Sequence, residues 1–221
     1  MIVSRSWNGS MEQLKVKICG LTNLEDALAA AEGGADAVGF VLYRKSPRYV
    51  EPNIVRAIVR ALPPLVLPVG VFVNESVEGV RDTMDSCGLA LAQLHGDEPS
   101  AYCEQVGRPI LKALRVRDGI SALAIAEYQG RAGVRGFVLD AFSDQAYGGT
   151  GTLADWSLAG EIAKTCRILL AGGLTPENVA DAVKTVRPYG VDVSSGVESS
   201  PGKKDHGRMR AFLQAARLVS A

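Results

Sequence analysis

The chain lacks an excess of charge of either sign: 24 Lys+Arg face 24 Asp+Glu in 221 residues. A balanced chain offers nucleic acid and membrane surfaces no global attraction, so neither is expected as a partner, and any anion must be held by local positive spots. Metal-binding residues are scarce too, with 2 His and 4 Cys. Cys19, Cys87, Cys103 and Cys166 form no CxxC pair, and none lies near a histidine at ligand spacing, so no metal is expected. The chain is not a small disulfide scaffold, and reduced thiols in a cytoplasmic setting follow as the expectation. Long hydrophobic runs are missing. The stretch Leu65–Val73 is broken by Pro68 and Gly70 and is far shorter than a membrane span. Residues 1–13 lack the apolar stretch of a signal peptide. They read as a loose N-terminal extension ahead of one domain over residues 14–221. There is no GxxxxGK[ST] and no GxGxxG after the first strand, which argues against a nucleoside triphosphate or a dinucleotide.

What is present is an alternation of short β-branched runs with longer segments of helical spacing. Strands are expected at Leu14–Cys19, Ala37–Leu42, Leu67–Val73, Ala90–Leu94, Pro109–Leu114, Gly136–Leu139, Arg167–Leu170 and Gly190–Val193. Helices are expected at Leu24–Glu32, Asn53–Ala61, Val77–Cys87, Pro99–Val106, Ile120–Gln129, Trp156–Lys164, Pro176–Val186 and Asp205–Val219. The strands are short and apolar throughout, as strands buried on both faces of a parallel sheet are. Eight units of about 26 residues close naturally into a single α/β domain, a (β/α)₈ TIM barrel. An open doubly wound sheet is the alternative that periodicity leaves.

In a barrel, reactive groups gather at the C-terminal ends of the strands. The first strand ends in Lys17-Ile18-Cys19-Gly20. Alternation points Lys17 and Cys19 inward together. A rim thiol can serve as a base or nucleophile if a neighbour such as Lys17 helps it ionise, although a lone cysteine is more often a small apolar filler. The second strand leads into Tyr43–Tyr49, where Arg44, Lys45 and Arg48 could bind an anion or simply form a solvated loop. Gln93 and His95 end the fourth strand on one face, and both could hydrogen-bond a ligand. Asp140 ends the sixth. A carboxyl there is costly to bury, and desolvation would fit it to act as a general acid; a helix cap or loop anchor is the plainer reading. Beyond it, Tyr147–Gly151 has the glycine content of a lid. Gly172-Gly173 after the seventh strand and Ser195-Gly196 after the eighth stand where many barrels hold a phosphate.

Seven segments together resemble the phosphoribosylanthranilate isomerase family: VKICGLTNLEDA, GADAVGFVLYRKSPRYV, VGVFVN, QLHGDE, YGGTG, AGGLTPENV and VDVSSGVESSPGKKD. The resemblance runs from Leu14 to Ala221. It implies a cofactor-free Amadori rearrangement of a small-molecule phosphosugar, N-(5'-phosphoribosyl)anthranilate, in tryptophan biosynthesis. It implies Cys19 as general base and Asp140 as general acid. It also implies Arg48 on the anthranilate carboxylate and the loops of Gly172, Gly173, Ser195 and Gly196 on the phosphate. Gln93, His95 and Asp192 complete the expected substrate-binding set. Whether the chain acts as a monomer or a homodimer is left open. One rival is the isomerase of histidine biosynthesis, which resembles a half-barrel repeat with aspartates as both acid and base. Cys19 and the lack of a half-chain repeat speak against it. The other is a non-catalytic phosphosugar binder on the same scaffold, which would not need an acid–base pair.

Overall fold

A computed structural model describes residues 13–115, 122–140 and 153–219. The expected extension over residues 1–13 falls outside these save for Gln13, and so does the expected lid Tyr147–Gly151. Eight parallel strands close into a barrel: β1 (Lys15–Ile18), β2 (Ala37–Val41), β3 (Leu67–Phe72), β4 (Leu91–Leu94), β5 (Ile110–Arg115), β6 (Val134–Asp140), β7 (Ile168–Ala171) and β8 (Gly190–Val193). The helices that follow them are α1 (Leu24–Glu32), α2 (Pro52–Ala61), α3 (Val77–Cys87), α4 (Ser100–Val106), α5 (Ala122–Tyr128), α6 (Leu153–Ala163), α7 (Val179–Val186) and α8 (His206–Leu218). Between β8 and α8 lie a single turn of 3₁₀ helix, Ser195–Val197, and a small hairpin of β9 (Glu198–Ser200) and β10 (Lys203–Lys204). No helix among the described residues is long and apolar enough to cross a membrane.

The strands are apolar on both faces because both faces are covered. Val69, Leu91, Leu111, Ala113, Val138, Leu169 and Ala171 fill the barrel interior. Val16, Ile18, Val38, Phe40, Ala92 and Leu139 point outward into the larger layer shared with the helices. Closure comes at the seam of β1 and β8, where Lys15 pairs with Gly190 and Lys17 with Asp192 in register. The expected sheet is therefore a barrel and not an open doubly wound sheet.

Local chemistry sets the helix starts. The Asn23 side chain accepts from the Asp26 amide at 2.8 Å, Ser76 accepts from Gly79 at 3.0 Å and Asp205 accepts from Arg208 at 2.9 Å, each capping its helix. Pro52 opens α2, where its missing N–H costs nothing. The expected start of the seventh helix at Pro176 is corrected. Asn178 ties the segment into a turn, accepting from the Thr175 amide at 2.8 Å and donating to the Gly173 carbonyl at 2.9 Å, and the helix begins only at Val179. α6 ends at Ala163, and the amides of Thr165 and Cys166 both turn back to the Ile162 carbonyl.

Asp26 fastens the β9–β10 hairpin to the start of α1. Its carboxylate accepts from the Lys204 amide at 2.9 Å, from Asn23 Nδ2 at 2.9 Å and from His206 Nε2 at 2.7 Å. Burial alone would raise its pKa, but these donors outweigh burial and hold the carboxyl below the usual aspartate value. A depressed folded pKa adds stability above the unfolded pKa, which fades as pH falls through the folded one. Asp26→Ala should therefore cost about 1–3 kcal/mol at neutral pH, as a loss of buried hydrogen bonds does. Urea unfolding checks it, and the gap from wild type should shrink as pH falls below about 4.

Candidate active site

The barrel interior contains a buried ammonium where its C-terminal mouth begins. Lys17 is 1% exposed, and its Nζ lies 2.8 Å from Asp192 Oδ2 on the neighbouring strand. Asp192 Oδ1 is buried and has no partner among the described residues. Cys19 follows β1 by one residue and keeps its pairing, since its amide donates to the Val193 carbonyl at 2.8 Å. Its thiol and the Lys17 stem both occupy the space over Gly39. A Cβ at Gly39 would lie 2.7 Å from Cys19 Sγ and 3.1 Å from Lys17 Cε. The expected inward pairing of Lys17 and Cys19 is what the structure has.

At the end of β4, Gln93 is fully buried and His95 half-buried, with Gln93 Nε2 3.1 Å from His95 Nδ1. An amide nitrogen only donates, so Nδ1 accepts and the ring proton falls on Nε2. Gln93 Oε1 is another buried acceptor without a partner among the described residues. Asp140 ends β6, opposite Ala171 in register, and is half-buried. It is not sealed from water as a fully buried strand end would be.

Arg48, from the loop after β2, comes in over Gly20 and meets Glu198. Nε lies 2.8 Å from Oε1 and Nη2 lies 2.7 Å from Oε2. Lys204 Nζ donates to the same Oε1 at 3.0 Å and to the Ser194 carbonyl at 3.1 Å. Past β7, Gly172 and Gly173 adopt left-handed backbone, with φ of +89° and +65°. Past β8, Gly196 packs so tightly on this loop that a Cβ would lie 1.9 Å from the Leu174 carbonyl oxygen. No other residue fits there without moving the two loops apart. A separate cleft of about 280 Å³ lies at the other end of the barrel, by Arg108, Pro109 and Gly133, and contains none of these groups. Among the described residues no His, Cys, Asp and Glu group is placed to hold a metal ion.

A family model described as N-(5'phosphoribosyl)anthranilate (PRA) isomerase matches residues 16–215. The chain belongs to the phosphoribosylanthranilate isomerase family. An N-(5'-phosphoribosyl)anthranilate isomerase of Citrifermentans bemidjiense is 52% identical over 93% of this chain and 98% of its own. The crystal structure of phosphoribosyl anthranilate isomerase from Thermotoga maritima superposes with a TM-score of 0.82 at 45% identity, covering 92% of this chain and 98% of that one. Another isomerase structure, in complex with reduced 1-(o-carboxyphenylamino)-1-deoxyribulose 5-phosphate, gives 0.81 at 43% identity over 92% of this chain and 98% of that one.

In this isomerase fold, Cys19, Asp192, Gln93, His95, Asp140, Arg48 and both glycine loops stand at or just beyond the C-terminal ends of their strands. Sequence reasoning gave no role to Glu198 and Lys204, although both lie in the segment ESSPGKKD. The Pro201-Gly202 pair is a turn signal that brings them together as a hairpin, but nothing in the sequence shows that Glu198 meets Arg48, 150 residues away. Lys17 acts on the thiol in the direction its position suggests, but it is outweighed. Burial is the strongest influence on Cys19 and pushes its pKa up. Lys17 pulls it down, Asp192 pushes up again, and the net result lies above the ordinary thiol range. Burial outweighs Lys17, and Asp192, 2.8 Å from the ammonium, works against it as well.

Modification of Cys19 by iodoacetamide, followed at that residue by mass spectrometry, should therefore accelerate with pH beyond the ordinary thiol pKa of about 8.5. A rate that levels off near pH 7 would contradict this balance.

Proposed function

We propose that residues 14–221 form the isomerase domain and catalyse the Amadori rearrangement of N-(5'-phosphoribosyl)anthranilate to 1-(2-carboxyphenylamino)-1-deoxyribulose 5-phosphate, with Asp140 as general acid and Cys19 as general base. The observation that carries this reading is the joint placement, in a member of this family, of a thiol, a strand-end carboxyl, an arginine and two interlocked glycine loops around one barrel mouth.

Asp140 gives its proton to the furanose ring oxygen as the C1–O bond breaks, and the nitrogen lone pair forms a C1=N iminium. The Cys19 thiolate then takes the proton from C2. The released electron pair forms C1=C2 and neutralises the nitrogen, leaving an enolamine. Protonation at C1 and loss of the C2 hydroxyl proton give the ketose. The order suits the electrostatics. The resting thiol is disfavoured as an anion by burial, and ring opening places a cation next to it before it must act, which favours the thiolate.

Arg48 binds the anthranilate carboxylate, while the Gly172-Gly173 and Ser195-Gly196 backbones receive the phosphate. Asp192 Oδ1 and Gln93 Oε1, buried acceptors without partners among the described residues, accept from sugar hydroxyls, since an acceptor left unpaired in the complex would carry a desolvation cost. His95 completes the wall beside Gln93.

Turnover can be followed by the loss of anthranilate fluorescence from freshly made substrate. Cys19→Ala and Asp140→Asn should each lower kcat at least ~10²-fold, the low end of what acid–base groups contribute. A near-wild-type rate in either variant removes that residue from its role. Arg48→Ala should act mainly by raising KM, and an unchanged KM would dismiss the carboxylate clamp. The profile of kcat/KM reports free-enzyme groups, so its limb for Cys19 should still be rising at about pH 8.5.

A further inference from the structure

Arg48 is already holding a carboxylate of its own chain. The two bonds to Glu198 come from Nε and Nη2, the side-on edge of the guanidinium. A guanidinium carries five N–H groups in a fixed planar fork. The end-on edge, one N–H from each of Nη1 and Nη2, has no partner among the described residues, and its geometry fits a second bidentate carboxylate.

Glu198 cannot swing away from this contact. Its side chain is 5% exposed. Oε1 also accepts from Lys204 Nζ and, at 3.3 Å, from the Gly202 amide. The hairpin that carries it is fastened to the first βα unit. Thr22 Oγ1 donates to the Gly202 carbonyl at 2.6 Å, and the Lys204 amide donates to Asp26. On the other side, Gly20 leaves room for the Arg48 stem, because a Cβ there would lie 2.8 Å from Arg48 Cδ. Charge points the same way: among the described residues two cations, Arg48 and Lys204, share one anion, Glu198, which leaves one positive charge over.

We propose that Glu198 is a positioning residue that locks the side-on edge of Arg48 so that its end-on edge receives the substrate carboxylate. This makes Glu198 a determinant of specificity for an aromatic amine that bears a carboxylate. A free arginine would give up rotamer entropy on binding; a guanidinium fixed beforehand has already lost it. The inference rests on Arg48 as the carboxylate clamp.

The test measures kcat and KM for wild type, Glu198→Gln, Arg48→Met, Arg48→Lys and the Glu198→Gln/Arg48→Met double variant, with thermal unfolding alongside. Glu198→Gln keeps the side-chain size and an acceptor for Lys204. It should raise KM about tenfold, comparable to the loss of a charge-assisted hydrogen bond, with kcat within about twofold. In the Arg48→Met background the same change should move KM by less than about twofold, because the two residues act as one unit. Arg48→Lys leaves Glu198 in place, so Lys204 keeps its partner. A lysine cannot offer two planar edges, and its KM should match that of Arg48→Met. A lower KM in Glu198→Gln would mean that Glu198 competes with the substrate, and would overturn the proposal. So would an equal rise in both backgrounds, which is the mark of a merely structural role, or a wild-type KM in Arg48→Lys. An unchanged KM in Arg48→Met would instead defeat the clamp itself.

Discussion

The ion pair between Lys17 and Asp192 is the constraint on which the rest of the structure depends. It joins the first strand to the last at the seam that closes the barrel, directly opposite in register. Two charges inside a barrel are expensive to desolvate, and breaking such a pair by removing one partner costs about 3–5 kcal/mol. Asp192 answers the ammonium, and burial fails to drag Lys17 down; its pKa stands above the ordinary value. The pair thus fixes the register of the seam and the charge beneath the thiol together. Cys19 sits at the edge of this field, close enough to be influenced by both partners and controlled by neither.

A second set of charges closes the rim. Arg48, Glu198 and Lys204 join the loop after β2 to the hairpin after β8. A third buried pair supports the opposite side. Lys112, pointing outward from β5, binds Glu98 at 2.6 Å and the Gly96 carbonyl at 2.6 Å, and Glu98 also takes the amides of Asn74 and Gly96. This braces the turn that follows His95. Each of the three sets joins segments that alternate with whole helices in the chain, so the loops of the mouth are tied to one another as well as to the barrel wall.

Much of this architecture was legible in the chain. Eight apolar runs separated by helical spacing are enough for an α/β domain, and inward alternation of Lys17 with Cys19 and of Gln93 with His95 followed from a period of two. Boundaries were less legible where side chains overrule local signals. Pro176 is a good first residue for a helix, yet the two Asn178 side-chain bonds to the loop delay the helix by a turn. Long-range charge pairing was not legible at all. The Arg48–Glu198 contact needs the barrel to bring the second and eighth units side by side, and no pattern within either segment encodes its partner. The sign of the thiol's environment was hidden for a related reason, because the burial that outweighs Lys17 exists only once the barrel has closed around Cys19.

Arg217 leads to a different consequence. It lies near the end of α8, and its guanidinium donates to the Leu14 carbonyl at 3.4 Å, to the Gly34 carbonyl and to Asp36 at 2.9 Å. The last helix thereby grips the backbone that enters the first strand, and the beginning and end of the barrel meet at one point on its surface. In such a ring the order of synthesis leaves no mark on the finished wall. A short peptide bridge across that point, with a new opening cut in an exposed turn elsewhere, would produce a circularly permuted chain with the same eight staves.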